Sequence, residues 1–203
     1  ANNGRKGPVF ISLPMNLQWE EIQPEKMICF SPPEKKQCSK NFHDQQIITV
    51  SNVLKSSSKV AIVIGSGAED AEVLKLLTPF CQRAEIPILT TYGAKHFISS
   101  DAECNFGLIG SMGTDHGNQI LSETDVLLVL GCRLSWRHIR SNPDKFAENG
   151  VVIHVDIDQD EQGANILNSI NINMDCRNFI QALTDIVCPE DIQNGYFFIH
   201  CRR

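Results

Sequence analysis

From Val60 onward the chain repeats one pattern: a short unbroken aliphatic run, a turn marked by glycine, then a segment with apolar residues at helical spacing. The runs are VAIVI (60–64), PILT (87–90), DVLLVL (125–130) and VVIHVDID (151–158), with a shorter one at Ile170–Ile172. They do not alternate apolar with polar, so they predict strands covered on both faces. Ahead of the first run, Ile47, Ile48, Val50, Val53 and Leu54 predict a helix over 44–55. Val73, Leu74, Leu76, Leu77 and Phe80 predict another over 68–84. Further helices are predicted over 117–123, 143–148, about 159–167 and 175–187, and a long glycine-bearing loop over 91–116.

Strands alternating with helices imply right-handed βαβ units. The predicted fold is therefore α/β: a single Rossmann-like, mainly parallel, doubly wound sheet with helices on both faces. Periodicity leaves the strand order open. Gly7–Pro14 (GPVFISLP) predicts a short buried strand, and the polar, Pro-bearing stretch up to Lys40 predicts a linker. That strand has no partner nearby in sequence, so it reads as the end of a preceding domain. The boundaries expected are 1–16 for that end, 17–40 for the linker, 41–187 for the Rossmann-like domain, and 188–203 for a tail of unassigned role.

Composition narrows the class. A net charge of −6 with no cluster of Lys and Arg argues against nucleic acid as a partner. The longest aliphatic run, Val126–Leu130, is far too short to span a bilayer, which predicts no membrane partner. Eight cysteines occur without a C-x-x-C pair, which predicts free thiols in a reducing compartment. With no basic-then-apolar leader at the start, a cytoplasmic location is expected.

Open parallel sheets bind ligands at the carboxyl ends of their strands, so the residues just past each run are the candidates. Gly65, Ser66 and Gly67 join a strand to a helix and suit either phosphate contact or a tight turn. Asp70 stands where the third glycine of G-x-G-x-x-G would be. The loop Gly110–Gly117 (GSMGTDHG), with Met112, Gly113 and Thr114, can offer several N–H donors to a pyrophosphate or be a surface loop. Arg133 fits either a phosphate or an ion pair with Asp125, Asp156 or another acid. Asp156 and Asp158 fit either ribose hydroxyls or helix capping, the latter suiting Asp158 better. His154, inside a strand, reads as a satisfied core residue. No G-x-S-x-G, H-E-x-x-H or P-loop lysine motif is present, so no residue is nominated as catalytic and none as a metal ligand.

VAIVIGSGA, EIPILTTYGAKHFI, GLIGSMGTDHGNQIL, SETDVLLVLGCRLS and VVIHVDID, in that order, resemble the central domain of thiamine-diphosphate-dependent enzymes of the acetolactate synthase type. GPVFISLP resembles the end of that family's pyrimidine-binding domain, and MDCRNFIQAL its closing aspartate and helix. The resemblance runs from about Arg5 to Leu183. It implies a parent enzyme, a transferase or lyase, that decarboxylates or carboligates a 2-keto acid. Thiamine diphosphate and Mg2+ would lie between an N-terminal and a C-terminal domain of the same chain, and the whole would be a homo-oligomer. In acetolactate synthases the central domain binds FAD without redox use. The resemblance thus places FAD or another adenine nucleotide against Gly65, Ser66, Gly67, Thr90, Gly110, Met112, Gly113, Thr114, Arg133, Asp156 and Asp175. One departure stands out: where acetolactate synthases read G-x-R-F-D-D-R, this chain reads Gly131-Cys132-Arg133-Leu134-Ser135-Trp136-Arg137. The alternatives are a free-standing nucleotide-binding or regulatory module, and a sirtuin-like NAD-consuming enzyme. The orphan strand favours the first reading.

Overall fold

The apolar runs become the middle of a six-stranded sheet, all parallel, in the order β3-β2-β1-β4-β5-β6. The strands are β1 (Val60–Ile64), β2 (Ile88–Thr90), β3 (Asn105–Leu108), β4 (Val126–Leu130), β5 (Val151–Asp156) and β6 (Ser169–Asn173). The computed structural model describes residues 7–29, 31, 40–139, 146–148, 150–162, 166 and 168–202, with the backbone alone over 40–43. The chain divides into two compact units, residues 1–40 and 41–203.

In the first unit the described residues 7–29 are all exposed, with a one-turn helix α1 (Met15–Gln18) and a 3-10 turn at Pro24–Lys26. The buried strand expected at Gly7–Pro14 is not formed. A strand is defined by a ladder partner for its N–H and C=O groups, and no described residue provides one there.

In the second unit, side chains leave each strand alternately toward two apolar layers. Val60, Ile62 and Ile64 of β1, with Val126, Leu128 and Leu130 of β4, join one layer. Against them pack α2 (Lys40–Lys55), α3 (Ala71–Arg83) and α6 (Cys176–Ile186), through Ile47, Val50 and Leu54, then Val73, Leu77 and Phe80, then Phe179, Ile180 and Leu183. Ala61, Val63, Leu127 and Val129 face the other layer. There α4 (Asp115–Glu123), α5 (Trp136–Ile139) and α7 (Gly195–Cys201) contribute Ile120 and Leu121, Ile139, and Phe197 and Phe198. The predicted doubly wound class is thus the observed one.

Several boundaries and elements differ from the sequence reading. Residues 105–108 form β3 inside the segment expected to be a loop. The helix expected over 117–123 begins at Asp115, because Thr114 caps it by accepting from the Gly117 N–H at 3.0 Å. The strand expected over 151–158 stops at Asp156. Of the helix expected near 159–167, Gln159–Glu161 is a single 3-10 turn and 163–165 and 167 lie outside the described residues. Of that expected over 143–148, residues 143–145 lie outside them and 146–148 form a turn.

The segment after Val187 is part of the domain. Ile192 joins the first layer and Phe197, Phe198 and Cys201 the second, so the chain crosses beneath the amino end of the sheet. Between them sits Asn194, wholly buried. Its carbonyl accepts from the Val60 N–H at 2.7 Å, and its amide donates to the Val60 and Glu85 carbonyls at 3.1 and 2.7 Å.

Candidate functional site

The strand order puts β1 and β4 side by side while the chain runs outward from them in opposite directions, which creates the topological switch point. The six loops past the strand ends form one rim. Each carries a candidate: Gly110 past β3, Thr90 closing β2, Gly65 past β1, Arg133 past β4, Asp156 closing β5 and Asp175 past β6. The sequence-nominated residues are therefore brought to one edge of the sheet.

At the centre of that rim the β1 and β4 loops lie directly against each other. Gly65 N–H donates to the Leu130 carbonyl and Gly67 N–H to the Gly131 carbonyl, both at 2.8 Å. Ala68 and Glu69 N–H groups turn back onto the Gly65 and Ser66 carbonyls. A methyl group on Gly67 would stand 2.8 Å from the Gly131 oxygen, and one on Gly65 2.6 Å from the Cys132 Cα. Gly131 has φ +54 and itself abuts Gly67 and Ala68. These glycines are required by the approach of one loop to the other. Leu134, buried at φ +47, adds backbone strain to the same β4 loop.

The charged candidates of the rim are ion-paired or accept from backbone N–H groups. Arg133 meets Glu161 at 2.7 Å, so its partner is an acid other than the two named in the sequence reading. Asp125 instead accepts from the Lys59 and Ser58 N–H groups at the opposite end of the sheet. Asp70 caps α3, accepting from Glu72 N–H at 2.8 Å, and is ion-paired with Arg177. The Arg177 guanidinium, then the Glu72 N–H, hold the Asp70 carboxyl below the usual range. Asp175 caps α6, accepting from the N–H groups of Arg177 and Asn178. Asp156 accepts from the Asp158 N–H at 3.0 Å, and Asp158 caps the following turn by accepting from Asp160. His96 and Glu69 lie 2.9 Å apart and tie the β1 and β2 loops together.

The remaining candidates are placed as follows. Thr90 is buried, its hydroxyl donating to the Gly107 carbonyl at 3.4 Å. In the β3 loop, Gly113 and Thr114 N–H groups donate to the Gly110 and Leu108 carbonyls, and Met112 is exposed. Tyr92, past β2, and Trp136, at the start of α5, are exposed as well. His154 is buried and donates from Nε2 to the Cys132 carbonyl at 2.8 Å, as a satisfied core residue should.

At the rim a histidine lies beside a thiol and a hydroxyl. His138 Nδ1 lies 3.8 Å from Cys132 Sγ and 3.4 Å from Ser135 Oγ. Burial pushes the Cys132 thiol up to about 12, and burial followed by the Arg137 charge lowers His138. Both shifts disfavour the thiolate–imidazolium pair that an activated cysteine needs. Among the described residues no group of His, Cys, Asp and Glu is arranged to hold a metal ion, no disulfide is formed, and no helix is long and apolar enough to cross a membrane.

Sequence reasoning missed Glu161, Arg177 and the Glu69–His96 pair. Asp70 was visible as the residue breaking the glycine fingerprint, and its capping role is what that substitution does.

Comparison with known proteins supplies the context. The model of the thiamine pyrophosphate enzyme central domain matches residues 47–183. The acetolactate synthase large subunit of Porphyra purpurea is 31% identical over 191 residues, which cover 92% of this chain and 32% of that protein. The probable acetolactate synthase large subunits of Methanococcus aeolicus and Methanocaldococcus jannaschii are 35% and 31% identical over 174 and 199 residues. Those alignments cover 82% and 96% of this chain, against 28% and 33% of the relatives. The chain spans about a third of the length of the curated relatives it matches.

Proposed function

We propose, from the premise that this chain belongs to the thiamine pyrophosphate enzyme central-domain family, that it works inside an enzyme that decarboxylates or carboligates a 2-keto acid. The observation carrying this reading is the similarity, over nearly the whole chain, to acetolactate synthase large subunits about three times as long. Thiamine diphosphate supplies the carbanion stabilisation such chemistry needs. In this reading thiamine diphosphate and Mg2+ are held by the remainder of a longer polypeptide, in a cytoplasmic homo-oligomer.

The part assigned to this chain is to position and scaffold. The two-layered core gives it a rigid body, and the rim presents Tyr92, Met112 and Trp136 outward. Were a flavin or another adenine nucleotide held, as the family resemblance implies, the strand ends would put it along that rim, past Gly65, Arg133 and Asp156. Supporting that placement is the convergence of the candidates on one edge at the switch point.

The test is to express the complete reading frame and follow pyruvate consumption. Turnover that requires both thiamine diphosphate and Mg2+ is expected. A full-length product that binds neither contradicts the proposal.

A further inference from the structure

The family's flavin would need N–H donors and free space at the switch point, and the structure shows what this chain has done with both. We propose that the crevice between the carboxyl ends of β1 and β4 is sealed by the protein's own backbone and takes no dinucleotide pyrophosphate, so that this central domain is a nucleotide-independent scaffold.

Three observations carry it. The first is the fate of the loop donors. In a dinucleotide-binding turn the glycines let the backbone approach the pyrophosphate and leave N–H groups pointing at it. Here the Gly65 N–H closes the last rung of the β1–β4 ladder on the Leu130 carbonyl, the Gly67 N–H bonds to the Gly131 carbonyl of the facing loop, and those of Ala68 and Glu69 turn back onto their own loop. The space the glycines open is filled by Gly131 and Cys132, not left for a ligand.

The second is charge. The positive end of α3 favours an anion, and the Asp70 carboxylate already occupies that position, bonded to Glu72 N–H and paired with Arg177. An incoming phosphate would meet a like charge at close range. The third is the arginine. Arg133, which would fork onto the phosphates, is held at 2.7 Å by Glu161, a carboxylate only 18% exposed. Thr90 is likewise occupied by the Gly107 carbonyl.

The proposal does not depend on the 2-keto acid reading, which stands or falls on turnover with thiamine diphosphate. Its own test is a calorimetric titration of the 203-residue chain with FAD and with ADP, together with amide hydrogen exchange resolved to Gly65 and Gly67. The expected dissociation constants are weaker than about 0.1 mM for both ligands, with the two amides exchanging slowly and unchanged by saturating FAD. Binding of either ligand tighter than about 0.1 mM overturns the proposal. So does free exchange of the two amides without ligand, or protection of them that appears only when FAD is added.

Discussion

The two ends of the sheet spend their polar groups differently. At the amino end, Asn194 is wholly buried and joins the start of β1 to the turn before β2, while Asp125 accepts from Lys59 and Ser58 N–H groups. At the carboxyl end the polar groups are loop-to-loop bridges with one or both partners at the surface, and Tyr92, Met112 and Trp136 stand 73%, 73% and 67% exposed beside them. The amino end therefore holds the fold together, and side chains at the carboxyl end are available to touch something else. The glycine seam between β1 and β4 combines the two roles, since it is both rim and core.

The largest effect is expected at Asn194. Asn194→Leu leaves the Val60 N–H and carbonyl buried without partners, at about 1–3 kcal/mol for each orphaned group, and also removes the part-buried bond to the Glu85 carbonyl. A loss of roughly 3 kcal/mol or more, a large share of a domain's ~5–15 kcal/mol, is expected in urea unfolding of the 203-residue chain. A loss below about 1 kcal/mol would remove the amino-end half of the comparison.

Next comes Gly131→Ala, which forces a methyl group onto Gly67 and Ala68 at a left-handed φ. Overpacking of this kind costs about 1–3 kcal/mol, read as a lower midpoint in thermal or urea unfolding. An unchanged midpoint would show that the two loops can part, leaving room in the crevice.

Asp70→Asn is expected to cost about 1 kcal/mol or less, because the pair with Arg177 is at the surface and the amide can still cap the helix. Its pH dependence has a definite sign. The folded-state pKa of Asp70 is depressed, so its stabilisation is complete above the unfolded value of about 3.9 and is lost as the pH falls through the folded value. The difference between wild type and Asp70→Asn should therefore be present at pH 7 and vanish in acid. A difference that grows on acidification contradicts the assignment. Smallest of all, Trp136→Ser should shift stability by no more than about 0.5 kcal/mol, measured in the same unfolding series.

How far the sequence foretells this structure follows from where each interaction's partners lie. Strands β1, β4 and β5 are legible because burial on both faces demands unbroken aliphatic runs. Strand β3, at the sheet edge, is built from Asn105, Phe106, Gly107 and Leu108, mostly half-buried, and its glycine at φ +97 resembles a loop. The closing segment escapes for a different reason. Helix α7 has only seven residues, and Asn194 bonds to a residue 134 positions away, which no local pattern encodes. At the rim, the carboxyl-end rule locates Gly65, Arg133 and Asp156, since each closes an apolar run or lies within three residues of its end. It is silent on what they face: Asp70 pairs with Arg177 across 107 positions, and only the folded sheet brings those loops together.

We propose that this chain is the scaffold of a thiamine-diphosphate enzyme and does not itself hold thiamine diphosphate. Calorimetric titration of thiamine diphosphate with Mg2+ into the 203-residue chain, and into the product of the complete reading frame, tests it most directly. The account predicts no binding tighter than about 1 mM for the former and a dissociation constant at or below about 10 μM for the latter. Micromolar binding by the 203-residue chain alone would contradict it.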